Sequence, residues 1–263
     1  HISLYKNLNY FRAGEGLPNF ESMIIHFGTE LAGMLDGTCD LVNFSGDDLR
    51  NLLAYDDDGL FEVDAADSTF WEHLDFGIQS ADAYSGFAAL TGAFQDVRVR
   101  QAFANCIDRQ AIVDEVYVGL GEVANAFIPD DHPYFPDDAV NYLYDPVQGN
   151  SLLTQAGWED SNADGIRDKD GFEFSVTLHT TDASIRYTVA SMVADQMATC
   201  GIEVIPVHLP ASLFFWGWPD GVVYGRQFDL AEFAWGSDWL PSCPLYYSWN
   251  IPSDENLGGQ NVP

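Results

Sequence analysis

Residues 96–121, DVRVRQAFANCIDRQAIVDEVYVGLG, constrain the fold more than any other stretch of the chain. Val99, Ala102, Phe103, Cys106, Ile107, Val113, Val116 and Tyr117 recur at three- and four-residue spacing and form one apolar helical face. Asp96 suits the N-cap and Gly119 the C-terminal stop. A helix with such a stripe must bury it against a second layer, and the flanking sequence supplies one.

That second layer is read from residues with period two. Ile2 and Leu4 alternate in a first strand, and Met23, Ile25 and Phe27 in a second. A short helix is expected to end near Gly37, and Leu41 to Phe44 suit another strand. The run Asp56–Asp58 with Gly59 reads as a turn, and Phe70 to Phe76 resume strand character. Asp145 followed by Pro146 opens a helix that Gly157 closes. Phe172, Phe174, Val176 and Leu178 alternate as a strand. Ile185, Val189, Met192, Val193 and Met197 make a helix face ended by Gly201. Ile202, Val204 and Pro206, then Phe228 to Phe233, continue as strands. Strands alternating with helices predict an α/β sheet flanked by helices. The small, polar stretch 80–92 is a candidate crossing, so the expected division is 1–80 and 81–263.

Charge excludes several partners. Forty-one acidic residues face ten basic ones, a formal net charge of −31 in 263 residues. Nucleic acid requires clustered Lys and Arg to neutralise phosphates, and an anionic membrane surface would repel this chain. Three origins of the acidity compete: a solvated surface that maintains solubility, adaptation to salt, and an acidic cleft selecting cationic ligands. No run of about 18 apolar residues is present to span a bilayer. The cysteines Cys39, Cys106, Cys200 and Cys243 lack metal-ligand spacing. Cys106, on the apolar helix face, reads as a buried thiol; a disulfide would fit an oxidising compartment, with connectivity left open.

Several segments in order resemble one family. R-V-R-Q-A-F, I-D-R-Q-A-I-V and V-x-x-G-x-G in 96–121 are joined by HISLYKNLNYF at 1–11 and MLDGTCDLV at 34–42. YDPVQGNSLLTQAGW at 144–158, DSNADGIRDKDG at 160–171 and FDLAEFAWGSDWLP at 228–241 complete the set. Together they resemble the extracytoplasmic solute-binding proteins (family 5) of peptide-type ABC transporters. Leu8 stands where that family usually has proline. The resemblance implies a periplasmic-binding-protein-like (type II) α/β fold with a mixed sheet, residues 1–80 being part of a first lobe and 81–263 most of a second. It also implies a fragment of a longer, extracytoplasmic protein, periplasmic or anchored as a lipoprotein. Such a protein acts as a monomer that delivers peptides or a related small solute to a membrane permease. A carbohydrate receptor of the same family and a non-transport sensor are the alternatives, with a hydrolase more remote.

The turn Trp235-Gly236-Ser237-Asp238 leads the candidate sites. In peptide-binding relatives the matching aspartate pairs with the ligand's α-ammonium, so the resemblance implies that role for Asp238; the competing reading is an Asx turn. Trp216, Trp218, Trp235 and Trp239 suit an aromatic cleft wall, and packing is the alternative for each. Residues 160–168 follow an EF-hand pattern, with oxygen donors at Asp160, Asn162, Asp164 and Ile166 (carbonyl) and Asp168 at position nine. Gly171 occupies the position of the bidentate glutamate, for which Asp170 is a substitute, so a structural calcium and a plain acidic turn both fit. No cofactor is required. G-x-S-x-G, H-E-x-x-H and G-K-[ST] are absent and the six histidines are scattered, so no enzyme is expected. Gly119-Leu120-Gly121-Glu122-Val123-Ala124 follows a helix, the reverse of a dinucleotide loop.

Overall fold

The computed structural model describes residues 1–263 except 29, 43–48, 65–68, 131, 237–239, 241 and 263. The chain forms two compact units, His1–Phe61 and Glu62–Pro263. In the first, β1 (Ile2–Tyr5) pairs antiparallel with β2 (Ser22–Ile25), with Ile2 opposite Ile25. Two helices follow, α1 (Glu30–Leu35) and α2 (Leu49–Asp57). Two expectations fail here. Asp56 and Asp57 finish a helix and only Asp58 and Gly59 turn, because the apolar residues of 49–55 propagate helix through the carboxylates. Leu41 and Val42 are not in a strand, and residues 43 and 44 lie outside the described set.

The second unit is built on a four-stranded sheet. Its elements in order are β3 (Phe70–Phe76), α3 (Phe87–Thr91), α4 (Val97–Cys106), α5 (Arg109–Tyr117) and α6 (Pro146–Gln155). After them come β4 (Asp168–Lys169), β5 (Phe172–Glu173), β6 (Ser175–Thr181), α7 (Ser184–Ala198), β7 (Glu203–Leu209), α8 (Ala211–Phe214) and β8 (Leu230–Gly236). The sheet order is β3-β8-β6-β7, with β6 parallel to β7 and β8 and β3 antiparallel to β8. Strand β3, grouped above with residues 1–80, thus pairs along its whole length with β8, from Phe70–Gly236 to Phe76–Leu230. The expected strand 228–233 begins and ends later, because Asp229 turns its carboxylate to other elements and pairing starts at Leu230.

The stretch 96–121 is two helices. Asp96 caps the first by accepting from the Arg98 amide at 2.9 Å. Ile107 then leaves the helical region, and Asp108 caps the second by accepting from the Ala111 amide at 3.0 Å. A capping aspartate inside an unbroken apolar stripe restarts the helix there. The stripe stays buried: Val99, Ala102, Phe103, Cys106, Ile107 and Val113 are all inside. Cys106 is disulfide-bonded to Cys200 at the end of α7, not a thiol, because α4 packs across that terminus. Helix α6 lies on α4 at Gly149, where a Cβ would overlap Cys106 Sγ. Asp145 caps α6, accepting from the Gln148 amide at 3.0 Å, with Pro146 in its first turn.

The core follows the alternation of β6, whose Val176, Leu178 and Thr180 are buried in turn. Val176 and Leu178 meet Phe87, Phe94, Phe103, Leu153, Trp158, Val193 and Met197 on the face covered by α3, α4, α6 and α7. Phe87 stacks on Phe174 at 4.9 Å, and Trp158 tilts against it at 4.4 Å. Each such side chain contributes roughly 1.5–3 kcal/mol on burial. The other face carries a smaller cluster of Phe214, Val223, Phe228, Ala231, Phe233 and Val262. Among the described residues no helix is long and apolar enough to cross a membrane.

Candidate functional site

Because β6, β7 and β8 are parallel, their carboxyl ends share one edge of the sheet with the amino end of β3. Ligands of open α/β sheets characteristically sit at that edge. Strand alternation gives it two chemistries. On one face, Trp71 and His73 of β3 stand opposite Trp235 and Phe233 of β8. Trp71 and His73 lie 4.3 Å apart between ring centroids, His73 and Phe233 4.4 Å, and Phe233 and Trp235 5.3 Å. Both His73 ring nitrogens are buried without a hydrogen bond among the described residues; Nε2 lies 3.6 Å from Asp75 Oδ1. This is a continuous aromatic ladder leading to the end of β8, with Phe233 buried and Trp71, His73 and Trp235 partly buried.

On the opposite face the same strands present Glu72 and Glu232. Arg186 of α7 joins them: its Nη2 donates to Glu72 Oε1 at 2.9 Å, and its Nη1 meets Glu232 Oε1. Glu232 Oε2 lies 2.6 Å from the Thr180 hydroxyl. Burial pushes the Glu232 carboxyl up to about 7, with Arg186 opposing and Glu72 adding to the rise. The Tyr117 hydroxyl of α5 is pushed up to about 12 by burial and then by the charge of Glu72. Sequence reasoning missed this set; its signal was a lone glutamate on an inward position of the apolar run 230–235.

Of the residues expected to bind ligand, Trp235 belongs to the ladder. Asp238 and Trp239 lie outside the described residues. Trp216 is exposed, while Phe214, in the same segment, is buried. Trp218 donates from Nε1 to Asp254 Oδ1 at 2.8 Å, and the Arg226 guanidinium sits 5.3 Å from its ring. A cavity of about 360 Å³ is bordered by Phe127, Ile128, Tyr134, Pro136 and Leu240.

The loop read as EF-hand-like turns its oxygens onto its own backbone. Asp160 Oδ2 accepts from the Gly165 amide at 3.0 Å, Asn162 Oδ1 from the Asp164 amide at 3.0 Å, and Asp164 Oδ1 from the Ile166 amide at 2.8 Å. Asp168 sits in β4 and accepts from the Ser161 amide and hydroxyl; the hydroxyl and then the amide hold its carboxyl below the usual range. Asp170 has a left-handed backbone beside Gly171 in the β4–β5 turn.

An open mixed sheet flanked by helices, with an aromatic edge at the carboxyl ends of its strands, defines an α/β lobe of the periplasmic-binding-protein type. The family description "Bacterial extracellular solute-binding proteins, family 5 Middle" matches residues 1–256, and the chain belongs to that family. It is 40% identical over 126 residues to the oligopeptide-binding protein AppA of Bacillus subtilis, 46% of this chain and 23% of AppA. It is 30% identical over 208 residues to a putative ABC transporter peptide-binding protein of Brucella ovis, 76% of this chain and 37% of that one. The solved structure of Bacillus subtilis AppA in complex with a nonapeptide superimposes with a TM-score of 0.61 at 27% identity, covering 92% of this chain and 45% of that one. The chain thus spans less than half the length of each.

Proposed function

We propose that this chain is the part of an ABC-importer receptor that captures peptides between two lobes and delivers them to a membrane permease. The observation that carries this reading is the likeness, across 92% of the chain, to AppA complexed with a nonapeptide. The partly exposed rings of Trp71 and Trp235, backed by His73 and the buried Phe233, support it, since aromatic faces accept varied apolar side chains without demanding one shape. The protein acts as a monomer, turns over no substrate, and works outside the cytoplasmic membrane, in a periplasm or tethered as a lipoprotein. The Cys106–Cys200 disulfide supports that address, because such bonds persist in oxidising compartments. Asp238 is the anchor for the peptide's α-ammonium, by a charge-assisted bond.

The test is a thermal-shift and calorimetric screen with free and N-acetylated di- and oligopeptides and with oligosaccharides. Binding to the native state raises the unfolding midpoint by mass action. Free peptides should raise it and acetylated ones should not. Asp238→Ala should weaken peptide affinity by about 30-fold or more. A response to saccharides alone would replace this reading with a carbohydrate receptor.

A further inference from the structure

The Glu232–Thr180 contact contains an imbalance of protons. The Thr180 hydroxyl lies 2.8 Å from the Glu232 backbone oxygen and 2.6 Å from Glu232 Oε2. Both neighbours are acceptors when Glu232 is ionised, and one hydroxyl proton serves only one of them. A proton on Oε2 resolves this: Oε2–H donates to Thr180 Oγ1, and Oγ1–H donates to the backbone oxygen. Charge gives the same answer. Glu232 is 5% exposed; Arg186 from α7 and Thr180 from β6 contact it, Arg186 also holds Glu72 from β3, and Tyr117 of α5 lies within electrostatic reach of the group. Two ionised carboxylates on one guanidinium leave a net negative charge beside the buried Glu232, although Glu72 itself is partly in solvent, whereas one proton leaves none.

We propose that Glu232 is a proton-binding site whose occupancy holds the outer strand β3 of the sheet in place. Glu72 is the point of coupling. It lies on β3 between Trp71 and His73, and the Arg186 bridge ties that strand to α7. Among the described residues, strand β3 is held by a ladder on one side only, from β8. Loss of the proton sets Glu232 against Glu72 across Arg186 and loosens the strand that carries half of the aromatic ladder. The burial-driven rise of the Glu232 carboxyl agrees with this assignment. A consequence for ligand affinity rests on the solute-binding reading; the proton site itself does not.

The experiment therefore uses no ligand. Thermal unfolding midpoints from pH 5 to pH 8.5 are compared for the wild type and Glu232→Gln, whose amide NH₂ reproduces the protonated donor. Hydrogen exchange of residues 70–76, corrected for intrinsic rate, is followed in parallel. The two proteins should coincide near pH 5. By pH 8 the variant should unfold about 3 °C or more higher, and the alkaline loss of protection in β3 should occur in the wild type alone. If Glu232→Gln does not fold, Glu72→Gln decides, since removing the second carboxylate should move the wild-type transition to lower pH. Parallel midpoint curves, or β3 protection that changes with pH equally in both proteins, would overturn the proposal, as would an unmoved transition in Glu72→Gln.

Discussion

The Asp229 carboxylate caps a helix 141 residues earlier in the chain, with Oδ1 accepting from the Ala88 amide at 2.7 Å. Helix α3 has glycine at its own N-cap position and no local side-chain cap, so the second amide of its first turn is satisfied from the end of the loop before β8. Oδ2 of the same group accepts from the Thr177 amide and hydroxyl, both at 3.0 Å. One buried side chain thereby joins α3, β6 and the start of β8. It also raises the titration of its neighbour Tyr84, secondarily to burial.

Asp229→Ala should destabilise the protein by about 3 kcal/mol, since two amides and a hydroxyl lose their acceptor in a buried place. Asp229→Asn retains one carbonyl oxygen and should cost about half as much. Denaturant titration of both variants checks the order; equal and small losses would mean that water replaces the carboxylate.

The disulfide joins residues 94 apart, Cys106 on α4 and Cys200 at the end of α7. Replacing both with serine should cost about 2–5 kcal/mol. Both cysteines are fully buried, whereas Cys243 is exposed. A thiol reagent applied to the native protein should therefore modify Cys243 and spare the pair until the chain is unfolded and reduced, which peptide mass mapping would read.

Gly149→Ala tests the closeness of α4 and α6. The new methyl would overlap Cys106 Sγ and press on the Ala102 carbonyl at 3.2 Å, both of them fixed by the disulfide and the helix. A loss of about 1–3 kcal/mol is expected, and it should shrink when the cysteines are replaced, because the obstructing sulfur is then gone.

Salt should stabilise this protein. With a formal net charge of −31, self-repulsion opposes the compact state. Raising ionic strength from about 0.1 M to 1 M shortens the screening length from about 10 Å to about 3 Å. The unfolding midpoint should rise steadily across that range with sodium or potassium chloride alike; a flat response would show that the carboxylates are spaced widely enough not to interact.

Local chemistry was legible in the sequence where cause and effect lie a few residues apart. The Asp96 and Asp145 caps, Pro146 in the first turn of α6 and the inward Val176 and Leu178 are cases of this kind. Asp108 was overlooked because the apolar period continues through it, although its side chain caps a new helix. Long-range relationships left no such mark. The pairing of β3 with β8, the Cys106–Cys200 bond and the meeting of Glu72 with Glu232 on Arg186 all depend on segments more than 40 residues apart. Trp235 was recognised from its motif, whereas Trp71 and His73 became part of a site only once their strand had a partner.

Strand β8 sends Phe233 and Trp235 to one side and Glu232 to the other, and its neighbours are matched to that parity. Inserting or deleting a single codon within 230–236 would exchange the two sets, placing a carboxylate among the rings and a ring against Arg186. Substitutions along this strand can be gradual in effect, but a change of length by one is all or nothing. Natural variation here should therefore be confined to replacements, with insertions and deletions collecting in the loops on either side.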